Sequence, residues 1–150
     1  MSAVVEWTED VRPEWIDYNG HVSEPYYVLV FGHATDEVMR RIGLPPEDVA
    51  ATGASLYTVE AHVRYLDQVP PGAALHVRSS IIGRGAKTLW LWHEMWVQGR
   101  LRATEEILGL HVVTDDAGTR ARAFPPAVVA RIEPLTVSPP DEAGRRIRVR

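Results

Sequence analysis

Four strand candidates that follow one another closely restrict most strongly the folds that this chain can adopt. In the first, residues 57–65, apolar side chains alternate with polar ones, as in a strand with one buried face. These apolar positions are Tyr57, Val59, Ala61, Val63 and Tyr65. The other candidates cover residues 74–82, 87–98 and 101–113, and glycine-bearing turns join them. Because short connections make neighbouring strands run antiparallel, the sequence predicts an antiparallel meander.

One long helix is predicted before these strands, from about residue 23 to residue 42, and Gly43 suits its end. Its apolar residues recur at helical spacing at Tyr27, Phe31, Ala34, Val38 and Ile42. Gly32 inside this helix costs about 1 kcal/mol relative to alanine, so we expect it to mark a close approach between helix and sheet. With a further strand candidate at residues 4–11, the pattern predicts an α+β domain. A curved antiparallel sheet of about five strands should wrap the central helix.

The length and composition of the chain fit one domain. The 150 residues with 45% apolar content are enough for one core, whereas two domains would each be marginal. We assign residues 1–133 to the domain and residues 134–150, rich in proline and arginine, to a solvated C-terminal tail. The absence of cysteine excludes disulfides, thiol nucleophiles and cysteine–zinc sites. A net charge of −4 argues against a nucleic-acid partner. With no visible secretory signal or membrane-spanning run, we expect a cytoplasmic protein that does not enter membranes.

A short polar turn, Asp17-Tyr18-Asn19-Gly20-His21, is the best candidate for a reactive site. It places a carboxylate, an amide and an imidazole just before the helix, whose free N–H groups can stabilise a carbonyl oxygen that gains negative charge. Ser23 can cap this helix, and Pro25 suits its first turn. Asn-Gly is also common in tight turns, and Asp17 can simply bond the backbone of the turn. The turn alone leaves both roles open.

The order of residues from Asp17 to Phe31 resembles the entry to the central helix of hotdog-fold acyl-CoA thioesterases of the 4-hydroxybenzoyl-CoA type. This order is Asp-x-x-Gly-His-Val followed by Tyr-x-x-x-Phe. Residues 57–66, the Pro71-Gly72 turn and residues 75–77 resemble the second strand, turn and third strand of that family. Three later segments look most like the thioesterase domain that accompanies L-carnitine dehydrogenase and is associated with betainyl-CoA. These segments are residues 87–95, Ala103-Thr104-Glu105 and Leu110-His111-Val112.

The resemblance implies hydrolysis of a small acyl-CoA, with betainyl-CoA as a candidate, and suggests a role for each residue of the turn. Asp17 acts as nucleophile or general base, Asn19 holds Asp17 or the nucleophile, and His21 orients water or the carbonyl. The oxyanion site is formed by backbone N–H groups at the helix start, at Ser23, Glu24, Tyr26 and Tyr27. Many relatives carry asparagine where this chain has Ser23, so a role that needs an amide there is in doubt. No metal or cofactor is expected, since coenzyme A is part of the substrate.

Further residues are candidates for holding the substrate. The phosphates of CoA need cations, which Arg64, Arg84 and Lys87 can supply. A trimethylammonium group is held by aromatic faces, and Trp15, Tyr27 and Tyr57 lie on segments expected near the pocket. An uncharged acyl group, or a purely structural role for these aromatic residues, is equally compatible with the sequence.

The strand candidate at residues 87–98 predicts a partner subunit. Tryptophans occupy one face of it and aliphatic residues the other, at Trp90, Trp92 and Trp96 and at Leu89, Leu91 and Met95 respectively. Since a single helix can cover only one face, we expect the second to meet another subunit. Hotdog proteins build each active site from two chains, so the resemblance implies a homodimer or a dimer of dimers.

Two other functions remain alternatives. Hotdog enoyl-CoA hydratases pair aspartate and histidine in the pattern Asp-x-Asn-Pro-x-His, whereas this chain has the shorter Asp-x-Asn-Gly-His. A hydratase or dehydratase therefore ranks below a thioesterase. The second alternative is a non-catalytic acyl-CoA-binding module. A regulator of that kind is expected to carry a DNA-binding segment, and none is visible before Val4.

Overall fold

One long helix, α1 (Glu24–Ile42), lies against one face of an antiparallel sheet in the computed structural model, which describes residues 2–149. The strands are β1 (Val5–Asp10), β2 (Ala54–Tyr65), β3 (Ala74–Arg84), β4 (Thr88–Val97), β5 (Arg100–Asp115) and β6 (Gly118–Ala121). Their order is β1-β3-β4-β5-β2, and the short β6, which the sequence did not predict, pairs with the end of β5. Two shorter helices are α2 (Val49–Thr52) and α3 (Pro126–Ile132). The predicted α+β class, a curved antiparallel sheet around a central helix, is confirmed. Within residues 2–149, no helix is long and apolar enough to cross a membrane.

The core lies between α1 and the inner face of the sheet. Phe31, Val38 and Ile42 recur on one side of α1 and are 0% exposed. Every second residue of β4 faces this side of the helix, and Leu89 and Leu91 are likewise 0% exposed. Each such side chain contributes about 1.5–3 kcal/mol by leaving water. This packing holds the start of α1 in a defined position over the sheet.

A buried polar network also ties α1 to the sheet. The Nδ1 atom of His93 lies 2.6 Å from the Ser79 hydroxyl, and its Nε2 atom lies 2.9 Å from the Thr35 hydroxyl. The Thr35 hydroxyl donates its one proton to the Phe31 carbonyl at 3.1 Å, so it accepts from Nε2–H, and Ser79 donates to Nδ1. Complete burial lowers the pKa of His93 to about 3. The ring is therefore neutral and is held in one tautomer.

A bulge in β2 changes which of its residues face the helix. The register against β5 shifts between Thr58 and Glu60. One extra residue reverses the alternation beyond it, so the prediction that Tyr57 and Tyr65 share a face is wrong. Tyr65 contacts α1 and is 46% exposed, whereas Tyr57, next to the core residue Leu56, lies on the other face and is 49% exposed.

The expected role of Gly32 is also wrong. Gly32 is exposed, and a Cβ atom added there would meet no atom within 4 Å. Gly109 on β5 is a position in the sheet where close packing requires glycine, because a Cβ atom there would lie 2.7 Å from the Leu56 side chain. The helical spacing correctly placed Gly32 inside α1, but it did not show whether Gly32 lies on the side of the helix that faces the sheet.

The C-terminal segment covers part of the outer face of the sheet. The N–H of Val137 donates to the Ile81 carbonyl at 2.9 Å, next to a bridge between Ile81 and Thr136. Further on, the N–H of Gly144 donates to the Glu106 carboxylate at 2.7 and 2.9 Å. Residues 136–144 thus bond to the sheet at two points, while most of their side chains are exposed, and the solvated tail stays a prediction. The chain itself covers part of the face that the tryptophan pattern assigns to a second subunit, and the domain boundary at residue 133 stays a prediction.

Candidate active site

Residues 17–21 form a turn that closes on itself directly before α1. Ile16 and Val22 form an antiparallel bridge at its base, and the N–H of Asp17 donates to the carbonyl of His21 at 3.1 Å. Gly20 has a φ of 77°, a left-handed conformation that glycine adopts without strain. The turn therefore has a rigid backbone on which its polar side chains are carried.

The Asp17 carboxylate has one oxygen in use and one free. Its Oδ1 atom accepts the N–H of Asn19 at 2.8 Å, which is the structural role that the sequence left open. Within residues 2–149 its Oδ2 atom has no hydrogen bond. One carboxylate can thus hold the turn and still present an oxygen to a substrate or water.

The first turn of α1 carries the backbone donors predicted to stabilise an oxyanion. The N–H of Ser23 donates to the Trp15 carbonyl at 2.8 Å, and the N–H of Tyr26 donates to the Ser23 carbonyl at 3.1 Å. Pro25 has no N–H to donate. Among residues 2–149 the N–H of Glu24 is left without a partner, which makes it the best available donor. Ser23 occupies the N-cap position as predicted, but its side chain makes no capping hydrogen bond.

An open groove of about 560 Å³ joins the turn to the helix start. Six of the predicted catalytic and oxyanion residues line it, namely Asp17, Asn19, His21, Ser23, Glu24 and Tyr27. The Nδ1 atom of His21 is buried and has no partner within the described chain, so a ligand can supply one. Tyr26 instead stacks on Trp15, with ring centroids 5.5 Å apart. The structure thus brings a carboxylate, an imidazole and a helix start into one groove.

Tyr65 lines the same groove and is missing from the sequence-predicted site. Its hydroxyl donates to the Glu24 carbonyl at 3.2 Å, and its ring meets Tyr27 edge-on with centroids 5.0 Å apart. The hydroxyl of Tyr27 accepts the N–H of Val69 at 3.1 Å. Burial raises the pKa of both tyrosines, and the carboxylates of Glu24 and Glu105 raise that of Tyr65 further. Both phenols therefore remain neutral at physiological pH.

Tyr27 lines this groove, whereas the other five residues predicted to bind substrate lie away from it in the described chain. These are Trp15, Tyr57, Arg64, Arg84 and Lys87. Trp15 is 3% exposed and belongs to the core. Arg84 pairs with Glu133 at 3.1 Å and lines a separate cavity of about 540 Å³ on the outer face. Arg64 precedes Tyr65 on β2 and so faces away from the helix, and Lys87 lies in the turn between β3 and β4. Their roles in substrate binding stay predictions.

Glu105 on β5 is a second feature that sequence reasoning missed. It is 4% exposed, and within residues 2–149 no hydrogen bond or ion pair holds its carboxylate. Burial raises its pKa to about 7. The sequence does carry a signal for it, because Ala103, Glu105 and Ile107 alternate along β5 and therefore share the face that meets the core. Buried carboxylates are normally paired, so this one is unusual. The described residues contain no group of three or more histidine and acidic side chains that could hold a metal ion.

Several known proteins that are similar in sequence to this chain are thioesterases or contain a thioesterase. Residues 11–132 match the thioesterase-like superfamily. The betainyl-CoA thioesterase of Pseudomonas aeruginosa is 41% identical over 138 residues, which cover 90% of this chain and 86% of that protein. The L-carnitine dehydrogenase/betainyl-CoA thioesterase of Agrobacterium fabrum is 41% identical over 143 residues, which cover 92% of this chain and 29% of that protein. The similarity thus extends over nearly the whole of this chain.

Solved structures agree with this result. A putative thioesterase from Pseudomonas putida KT2440 is 32% identical with a TM-score of 0.84, and the match covers 100% of this chain and 99% of that chain. A hypothetical protein from Staphylococcus aureus in complex with CoA is 24% identical with a TM-score of 0.87, over 98% of this chain and 96% of that chain. The second likeness shows the fold alone.

Proposed function

Since the chain belongs to the thioesterase-like superfamily and is an acyl-CoA thioesterase of the hotdog fold, we propose that it hydrolyses betainyl-CoA or an acyl-CoA of similar size and charge. The choice of acyl group is supported by the two relatives named for betainyl-CoA, each 41% identical. One observation supports the chemistry most directly, namely the groove that combines the free oxygen of Asp17 with the unpaired N–H of Glu24.

In the proposed mechanism, the thioester carbonyl oxygen accepts the N–H of Glu24 at the positive end of the α1 dipole. Negative charge that develops on this oxygen is thereby stabilised. Asp17 then either attacks the carbonyl carbon, which expels the CoA thiolate and leaves a mixed anhydride for water to hydrolyse, or takes a proton from an attacking water. His21 orients that water. Both routes yield the free acid and CoA, and we propose that neither requires a cofactor.

A second copy of the chain is part of this proposal. β2 lies at the end of the sheet order and leaves one edge of a 12-residue strand without a partner in the described chain. Its apolar residues Tyr57 and Val59 are 49% and 54% exposed, and Leu66 just beyond it is 44% exposed. Long apolar edges readily pair with another strand, which supports a homodimer through β2. A dimer of dimers, a cytoplasmic location and a separate C-terminal segment from residue 134 complete the proposal.

The chemistry is tested by Asp17→Asn, with Asp115→Asn as the matched control. Asp115 makes the same kind of turn contact, accepting the N–H of Ala117 at 2.8 Å, but lies outside the groove, and its other oxygen pairs with Arg120 at 3.0 Å. Asparagine keeps that acceptor in both turns and is neither a base nor a strong nucleophile. We expect the kcat of Asp17→Asn to fall by about 10²–10⁴-fold on acyl-CoA substrates, with an unchanged melting temperature. Equal activity of the two variants, measured by release of free thiol, would exclude Asp17 from the chemistry.

A further inference from the structure

Glu105 lies on the inner face of the sheet, below the first half of α1. His93 is its direct neighbour on β4, and residues directly opposite in antiparallel strands share a face. His93 reaches Thr35 of α1 at 2.9 Å. Tyr65, a diagonal neighbour of Glu105 on β2, reaches the carbonyl of Glu24. Glu105 therefore lies under the stretch of α1 between Glu24 and Thr35.

This stretch of α1 has room beside it. Val28 and Gly32 follow Glu24 at intervals of four residues, so the three positions share one face of the helix. Val28 is 43% exposed, and a Cβ atom built on Gly32 would meet no atom within 4 Å. These helix positions face away from the sheet, so the link between Glu105 and the groove that contains Asp17 is instead Tyr65, which lines that groove and whose pKa is raised by burial and also by the Glu105 carboxylate.

Within the described residues, Glu105 lacks the partner that a buried carboxylate normally has. Its pKa is raised to about 7 by burial alone. The groups that face it from the packed elements are neutral or acidic. His93 on β4 is held neutral, and Tyr65 on β2 is a phenol whose pKa is raised by burial and by the carboxylates of Glu24 and Glu105. A cation for this site must therefore come from outside the described chain.

Resting on the proposed function, we propose that Glu105 is the counter-ion for a quaternary ammonium group at the end of the acyl chain. A trimethylammonium group has no hydrogen to donate, so it is recognised by opposite charge and by aromatic faces. Glu105 supplies the charge from a buried position, and the ring of Tyr65, which lines the groove, supplies an aromatic surface. Glu105 thus determines which acyl group is accepted, while Asp17 carries the chemistry.

The test compares betainyl-CoA with its neutral isostere tert-butylacetyl-CoA, in which carbon replaces the ammonium nitrogen. The kcat/KM of wild type, Glu105→Gln and Glu106→Gln is measured for both thioesters. Glu106 is the matched control, because it is 8% exposed on the outer face and bonds the Trp90 indole at 2.9 Å. We expect Glu105→Gln to lose about 100- to 300-fold on betainyl-CoA and less than about threefold on the isostere, as one charge pair at about 5 Å predicts at an effective dielectric constant of about 20. Glu106→Gln should change both substrates equally. If Glu105→Gln does not fold, Glu105→Met replaces it.

The outcomes separate this inference from the proposed function. Suppose that wild type prefers betainyl-CoA and that Glu105→Gln either keeps this preference or loses activity on both thioesters equally. That result would overturn the role of Glu105, while the proposal that betainyl-CoA is the substrate would stand. A wild type that does not hydrolyse betainyl-CoA would remove the proposed substrate. In that case the role of Glu105 is tested by binding of tetramethylammonium chloride. This salt should raise the melting temperature of wild type above the value in the same concentration of sodium chloride, and it should not change the melting temperature of Glu105→Gln. No rise in wild type would overturn the inference.

Discussion

The free energy of unfolding of Glu105→Gln, compared with that of wild type, should increase as the pH rises. In the unfolded chain Glu105 ionises near its ordinary pKa of 4.5, whereas burial raises the pKa to about 7 in the folded protein. The folded state therefore retains the proton to higher pH than the unfolded state. The contribution of this group to stability is complete below pH 4.5 and is lost as the pH rises through 7.

The size of the effect follows from the two pKa values. They differ by about 2.5 pH units, each worth about 1.4 kcal/mol, so ionised Glu105 costs the native state about 3 kcal/mol above pH 7. Glutamine has nearly the same shape and does not ionise. Burying its amide has a cost of its own, but that cost does not depend on pH. The stability difference between variant and wild type should therefore shift by about 3 kcal/mol in favour of the variant between pH 4.5 and pH 8.

Urea unfolding followed by tryptophan fluorescence at several pH values between 4.5 and 8 measures this shift. Glu106→Gln is again the control, since Glu106 lies on the same strand and the opposite face. The shift measured for Glu105→Gln is compared with that of Glu106→Gln over the same range. His93 titrates in wild type and variants alike, so its contribution cancels. Parallel pH profiles for wild type and Glu105→Gln would refute the reasoning, because they would mean that the carboxylate has a partner or remains hydrated.

The remaining predictions concern other parts of the molecule. Ser79→Ala should lower the free energy of unfolding by about 1–3 kcal/mol, because it removes the buried donor to His93. The ring of His93 should stay unprotonated by NMR down to about pH 4, and since the unfolded chain takes up this proton near pH 6.5, stability should fall as the pH drops from 6.5 towards 3. Protonation near pH 6 would contradict this. Gly32→Ala should stabilise by about 1 kcal/mol and Gly109→Ala should destabilise by about 1–3 kcal/mol in the same urea assay, and equal effects would reject the packing described for these two positions. Val59→Lys should convert the proposed dimer to monomers in light scattering, because a lysine opposes pairing of the β2 edge, and a dimer that persists would place the interface elsewhere.

The elements that could be predicted from the sequence are those whose signal lies within the element itself. Apolar spacing of 3.6 residues predicted α1 to within a residue at each end. Alternation and glycine turns predicted the five longer strands, with differences of a few residues at their ends. β6 has only four residues and no apolar alternation, so no comparable signal marked it. The turn at residues 17–21 was also readable, because its polar residues and its place before a helix are both local facts.

Contacts between elements were decided by the tertiary structure. A bulge in β2 turned Tyr57 away from the helix and left Tyr65 beside Glu24, although the two tyrosines look equivalent in the alternating pattern. Glu24 became the available donor only because the N–H groups of its neighbours found carbonyl partners. Glu105 acquires its unpaired state from the neutral groups around it on other elements. The sequence by itself determined which residues lie on which element, since periodicity depends on spacing along one segment. Burial, pairing and pKa depend on pairs of atoms from segments far apart in the chain, so only the folded structure decided them.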